Sequence, residues 1–387
     1  MSTATPVSNR NLLILFSVVV LDLIGFGVVV PILPFYAEQY GASATVLGLL
    51  LTSYSAMQFA FSSLWGRLSD RIGRKKTLLL TIAGSAVSLV LVGLADSLVL
   101  LFAGRILSGI FAANISVASA YVTDVTTEES RSKGMGLIGA AFGIGFLLGP
   151  AMGGVLSSRG YHVPILAAAA LSALNFFYAL WRLPEPARHH RPSLSPNLSK
   201  DEAVETRVLF HPQVFKLCSI HFLFTVGVNQ LESVFAFFMM RRFGYDAMHV
   251  AYILALMALI MILIQGGLIR ALTEKYGETL LLVAGSLLLA ASFAFVPWSP
   301  TVALLLLPLG IASVGRGISQ PALMSLVSKK SPPHMRGAVM GTFQASASLG
   351  RVIGPVIAGV LFDQGMALPF YAAAGLMACV FLISLNS

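Results

Sequence analysis

Apolar residues run through this chain in long blocks broken by brief polar interruptions, without the period-2 alternation of a half-buried strand. Twelve blocks stand out, at 11–34, 45–65, 77–95, 98–121, 134–157, 163–183, 213–239, 249–270, 279–297, 301–326, 337–361 and 367–386. Each is close to the ~20 residues that carry a helix across ~30 Å of hydrocarbon. A membrane barrel would instead show segments of about ten alternating residues. The pattern predicts an all-α integral membrane protein with twelve transmembrane helices. One long polar stretch interrupts it: residues 184–212 place Pro184, Pro186, Pro192, Pro196 and Pro212 among His, Arg, Ser and Glu. That composition reads as a linker. It divides the chain into a six-helix bundle at 1–183, a cytoplasmic linker at 184–212 and a second six-helix bundle at 213–387.

The two halves share a pattern. Arg131, Met135-Gly136, Gly145, Gly149-Pro150, Gly154 and Leu156 return as Arg336, Met340-Gly341, Gly350, Gly354-Pro355, Gly359 and Leu361. Likewise Leu68-Ser69-Asp70-Arg71-Ile72-Gly73 returns as Leu272-Thr273-Glu274-Lys275-Tyr276-Gly277. An apolar chain of two parallel pseudo-repeats is how many secondary transporters are built, with the substrate site near the bilayer midplane.

Composition narrows the class further. With 57% hydrophobic and 11% charged residues the chain lies far from soluble proteins of roughly 25% charge. The net charge of +9 suggests nucleic acid only until its placement is read. Of the 25 Lys and Arg, Arg159, Arg241 and Arg242 fall in outside loops and Arg105, Arg316 and Arg351 within spans. The others lie in segments that are cytoplasmic when the N-terminus is inside, which predicts both termini in the cytoplasm. Cys218 and Cys379 lie in predicted spans without ligand spacing, so no disulfide or metal site is expected. The first block lacks a small-residue cleavage signature and continues into Pro31 and Pro34, as a retained span does. His162, His221, His249 and His334 are scattered, and no Ser-His-Asp set, metal spacing or phosphate loop points to an enzyme.

Between the second and third blocks the chain reads Gly66-Arg67-Leu68-Ser69-Asp70-Arg71-Ile72-Gly73-Arg74-Lys75-Lys76. Gly66 suits close approach by a neighbouring helix, Asp70 a position near a helix N-terminus, Gly73 a turn, and the basic cluster a cytoplasmic face against anionic lipid. Here the chain resembles the major facilitator superfamily, whose signature loop has this form. The resemblance implies a gating role for Gly66, Asp70, Arg71, Gly73, Arg74 and Asp124. Asp70 would dock on span 11 to hold the outward-open state, and Arg71 would bridge to Asp124. A plain positive-inside loop is the alternative.

Leu21-Asp22-Leu23-Ile24-Gly25-Phe26-Gly27 followed by Pro31 and Pro34 is similar to span 1 of the tetracycline and multidrug proton antiporters. Asp22 lies ~17 Å along the helix, where a carboxylate normally faces a cavity or a partner. It is either a reversible proton carrier or a packing residue. Arg105 stays charged. The family ties an Arg at this place to proton transfer, while a depth of ~10 Å also permits snorkelling outward. Gly145, Gly149, Pro150, Gly153 and Gly154 match the family's antiporter motif, which the resemblance links to export; close helix packing alone is the alternative.

In the second half Glu232 is a gate, a coupling residue or an interfacial acid, and Arg316 awaits an anion, either a substrate or a carboxylate. Cavity candidates are Phe26, Tyr54, Gln58, Asn114, Phe146, Asn229, Gln230, Arg316, Gln320 and Gln344. The tetracycline exporters also carry carboxylates within spans 3 and 9. Span 3 here offers Ser85 and Ser88 and span 9 has no acid, which argues against tetracycline itself. The implied protein is a proton-coupled exporter of small amphipathic, drug-like compounds, working by alternating access as a monomer in the plasma or inner membrane. Its energy source would be the proton gradient rather than a cofactor, and its partners substrate, protons and lipids. The alternatives are a lipid or lysolipid flippase and an exporter of sugars, amino acids or siderophores.

Overall fold

Long apolar stretches become helices, even where Pro31, Pro34, Pro150, Pro308, Pro321 and Pro355 lie inside them, and short turns separate them. In a computed structural model, which describes residues 9–186, 212–331 and 336–385, these are α1 (Asn9–Glu38), α2 (Ala44–Ile72), α3 (Arg74–Gly93), α4 (Leu98–Phe111), α5 (Asn114–Val125), α6 (Glu128–Ser157) and α7 (His162–Arg182). They continue as α8 (Pro212–Phe243), α9 (Ala247–Leu263), α10 (Ile269–Phe295), α11 (Val302–Lys330), α12 (Arg336–Gln364) and α13 (Leu368–Leu385). Residues 187–211 of the expected linker lie outside the described residues.

Capping sets several starts. Ser97 accepts from the Leu100 amide and Thr301 from the Leu304 amide, satisfying donors that the first turn leaves free. Thr127 and Ser130 form a reciprocal capping box at α6. Two other helix starts draw acids from far along the chain. Glu185 accepts from the Arg74 and Lys75 amides at 2.6 and 3.1 Å, and Asp363 from the Ala44 and Thr45 amides at 3.1 and 2.8 Å.

Eleven helical stretches among the described residues are long and apolar enough to cross a membrane. One of them, Ala247–Trp298, has 52 residues, about 78 Å as a straight helix and more than twice the hydrocarbon thickness. It is interrupted at Gly277, whose φ of 75° is left-handed. Another, Leu98–Val125, is broken at Ala112 and Ala113 between α4 and α5. The freed carbonyls there find side-chain donors on α2: Gln58 Nε2 bonds to the Ala112 oxygen at 3.0 Å and Trp65 Nε1 to the Ile110 oxygen at 2.6 Å.

The chain forms two compact units. The first gathers the described residues of Met1–Gly41, Ser53–His190 and Asp246–Ala255; the second those of Ala42–Thr52, Arg191–Tyr245 and Leu256–Ser387. In the first, α1 packs against α6 and α7, with a core including Leu15, Val18, Ile82, Tyr121 and Ala141. In the second, α8 packs on α12 and α13, and α10 on α11.

Candidate functional site

Three groups of charged or polar side chains stand out inside these helices. In the first unit, Asn114 opens α5 directly after the break and donates from Nδ2 to Asp22 Oδ1 of α1 at 2.6 Å. Asp22 is half-buried, and this is its one described bond. One turn further along α1, Phe26 meets Tyr54 at 5.7 Å and Phe146 at 6.1 Å between ring centroids. Beneath Tyr54 lies Arg105, 5% exposed, its guanidinium carbon 4.2 Å from the ring centroid. Among the described residues its Nε has no hydrogen-bond partner. Arg105 thus turns inward onto an aromatic face instead of snorkelling outward. Asp22, Phe26, Tyr54, Arg105, Asn114 and Phe146 form a connected series, with Asn114 buried at 6% and serving Asp22. Gln58 is occupied at the helix break.

In the second unit Arg316 of α11 pairs with Glu232 of α8, which decides between a substrate and a carboxylate as its anion in this state. Asn229 is half-buried, its amide donating to the Thr225 carbonyl at 2.8 Å. Gln320 is half-buried and Gln344 exposed. Gln230 does not belong to a cavity. It is fully buried and donates to the Gly354 carbonyl of α12 at 3.2 Å. It follows Asn229 directly, so the ~100° step of the helix turns it to another face.

The third group closes the first unit's helix ends. The stretch expected as a loop is helical through Ile72, and only Gly73, at φ 109°, turns the chain. Asp70 therefore sits in the last turn of α2, an unfavourable end for an anion. It is offset by Arg74 at 2.7 Å, with its own side chain 64% exposed. The acid at the α3 N-terminus is Glu185. Arg74 also reaches Asp124 at 2.7 Å and donates to the Ser69 hydroxyl, taking the place at Asp124 expected for Arg71. Among the described residues, a Cβ on Gly66 would meet nothing within 4 Å.

The glycine motif of α6 is a crossing surface. A Cβ on Gly149 would lie 2.6 Å from the Gly27 Cα and 2.8 Å from the Ile24 oxygen. One on Gly145 would meet Leu23 at 2.5 Å and one on Gly153 the Val28 oxygen at 2.8 Å. Only small residues let backbones approach so closely. Gly154 faces elsewhere, toward Ala251 of α9 at 2.5 Å. Sequence reasoning missed Glu185, Asp363 and Trp65. The Pro184-Glu185-Pro186 string is the one local signal for any of them.

Charged groups inside the spans of a many-span helical protein mark a functional interior of the kind membrane transporters have. The family model described as Major Facilitator Superfamily matches residues 15–355 and 268–386, and the chain belongs to that family. Among its relatives is "Tetracycline resistance protein, class D" of Salmonella ordonez, 31% identical, covering 92% of this chain and 90% of the relative. "Multidrug resistance protein 2" of Bacillus subtilis is 30% identical, with 94% and 92% covered. Among solved structures, the human organic anion transporter MFSD10 (TETRAN) superposes with a TM-score of 0.74 at 26% identity, covering 98% of this chain and 100% of that one.

Proposed function

We propose that the protein exports small amphipathic, drug-like compounds in exchange for protons. It works as a monomer by alternating access, in a plasma or inner membrane, with both termini cytoplasmic and twelve spans in two six-helix halves. The interruption at Gly277 supports counting Ala247–Trp298 as two spans. The names of the relatives, resistance proteins for tetracycline and for multiple drugs, support efflux.

The observation that carries the mechanism is Asp22. A carboxylate inside a span, half-buried and held by a single amide donor, has no cation neutralising it among the described residues. Such a group is suited to taking up and releasing a proton as its surroundings change. Arg105 adjusts the field around it through Tyr54 and Phe26, Glu232 provides a second acid, and the Asp70–Arg74–Asp124 cluster gates the cytoplasmic side. The proton gradient supplies the energy.

The test is reconstitution into liposomes with a pH-sensitive dye inside, against a panel of cationic, neutral and zwitterionic compounds. Proton movement that depends on the compound and disappears in Asp22→Asn is expected. Full proton-driven transport by that variant would sink the mechanism. Export of organic anions is a second reading, favoured by Arg105, a buried cation with no carboxylate among the described residues, and by the description of MFSD10.

A further inference from the structure

We propose that Glu232 and Arg316 form an exchangeable ion pair that recognises amphipathic zwitterions, taking the substrate's carboxylate on Arg316 and its ammonium on Glu232. This rests on the transporter reading above and names the substrate class. Arg316 stands midway along α11, about 21 Å from either end at the helical rise of ~1.5 Å per residue. Glu232 lies about 16 Å short of the end of α8 at Phe243 by the same measure. At such depth a charge facing hydrocarbon is costly, so charged side chains there face a partner or a watered hollow. The pair does both. Its members reach each other, yet their side chains remain 33% and 44% exposed for Arg316 and Glu232.

The flanking residues extend the same faces. On α8, Thr225, Asn229 and Glu232 follow helical spacing, as Ser313, Arg316 and Gln320 do on α11. Asn229 and Ser313 spend their donors on carbonyls of their own helices. The half-buried Gln320 makes no side-chain hydrogen bond among the described residues and remains available to a ligand one turn from Arg316.

Charge bookkeeping selects the ligand. The empty pair is neutral. A purely cationic ligand that takes Glu232 leaves the Arg316 guanidinium unpaired, and a purely anionic ligand that takes Arg316 strands the Glu232 carboxylate. An ion left unpaired at this part-exposed site keeps some solvation, yet it is still disfavoured relative to a paired one. A zwitterion replaces one neutral pair by two, leaving neither side chain alone and keeping the net charge at zero. Its acid and amine must lie close together, as the paired side chains do.

The probe is Nε-dansyl-lysine, a fluorescent zwitterion, compared with its methyl ester, a cation, and its Nα-acetyl derivative, an anion. Binding is read by dansyl fluorescence on the purified full chain in nanodiscs. The zwitterion is expected to bind about ten-fold or more tighter than either derivative. Arg316→Gln should bring it down to the ester, and Glu232→Gln down to the acetyl derivative. The swapped variant Glu232→Arg with Arg316→Glu should regain the preference, a result that general misfolding cannot give. Equal binding of the three probes by wild type, or an undiminished preference in both single variants, would overturn the proposal. Compound-driven proton movement that is lost in Asp22→Asn, with no zwitterion preference, would keep the antiport reading and remove this one. The reverse pattern would keep the pair as a zwitterion site and remove antiport.

Discussion

Arg105 rests its guanidinium on the face of Tyr54, 4.2 Å from the ring centroid, and no carboxylate among the described residues neutralises it. The ring's negative face partly replaces the missing anion, an interaction of about 2 kcal/mol where water is excluded. Tyr54→Leu should therefore lower the unfolding temperature and impair transport, while Tyr54→Phe, which keeps the face, should lose less stability. Unfolding of the detergent-solubilised variants checks this. Identical loss in the two would place the role in the hydroxyl.

The glycines of α6 divide into two kinds. An alanine methyl at Gly149 must displace α1 backbone, and overpacking of that sort costs about 1–3 kcal/mol. A Cβ on Gly139 would meet nothing within 4 Å among the described residues, and alanine there should gain up to about 1 kcal/mol of helix propensity. Heating followed by size-exclusion chromatography should show Gly149→Ala lost at lower temperature and Gly139→Ala unchanged or improved. Equal behaviour would mean that the crossing relaxes freely.

Asp363 holds the start of α2 through the Ala44 and Thr45 amides and the Thr45 hydroxyl, the last at 2.6 Å. Removing a helix cap typically costs about 1 kcal/mol. Asp363→Ala should destabilise more than Asp363→Asn, which keeps an acceptor oxygen, and Thr45→Val should cost least. An Asp363→Ala protein that unfolds at the wild-type temperature would show that water replaces the cap.

Asp246, just ahead of α9, accepts from the His249 amide at 3.0 Å and meets its ring at 2.6 Å. Burial pushes its carboxyl upward, but the bonds from His249 outweigh this and leave it below the ordinary carboxylate range. A lowered carboxylate contributes stability that is present above its unfolded value and lost as pH falls through the folded one. Thermal unfolding from pH 7 downward should show a small loss at the acid end that Asp246→Asn lacks. The same acid slope in wild type and variant would assign it to other groups.

The membrane spans were legible because twenty apolar residues in a row leave little alternative to a helix in lipid. The break after Phe111 was not, since Ala112 and Ala113 favour helix and only side chains of α2 stabilise the interruption. Remote caps are hidden for a related reason. Every helix start offers the same backbone donors, so nothing local says that Glu185 serves α3 or that Asp363 serves α2. Asp22 and Arg105 announced themselves as charges in apolar surroundings, whereas Asn229 and Gln230 are adjacent and only packing decides which faces inward. At the helix ends the repeat proved informative in an unforeseen way. Gly73 and Gly277 both take positive φ, and the pair Arg74–Asp124 has its counterpart, with charges reversed, in Glu278–Lys329.

Where α1 crosses α6, backbone faces backbone at Gly27, Gly145 and Gly149, beside a stretch where Leu15, Val18 and Ala141 mesh in the core. Meshed side chains resist sliding because each must change rotamer to pass its neighbour. Smooth main-chain surfaces lack those teeth. The crossing near Asp22 is therefore held by the core beside it rather than by an interlock of its own, and any side chain grown at these glycines would push the carboxylate's helix off α6.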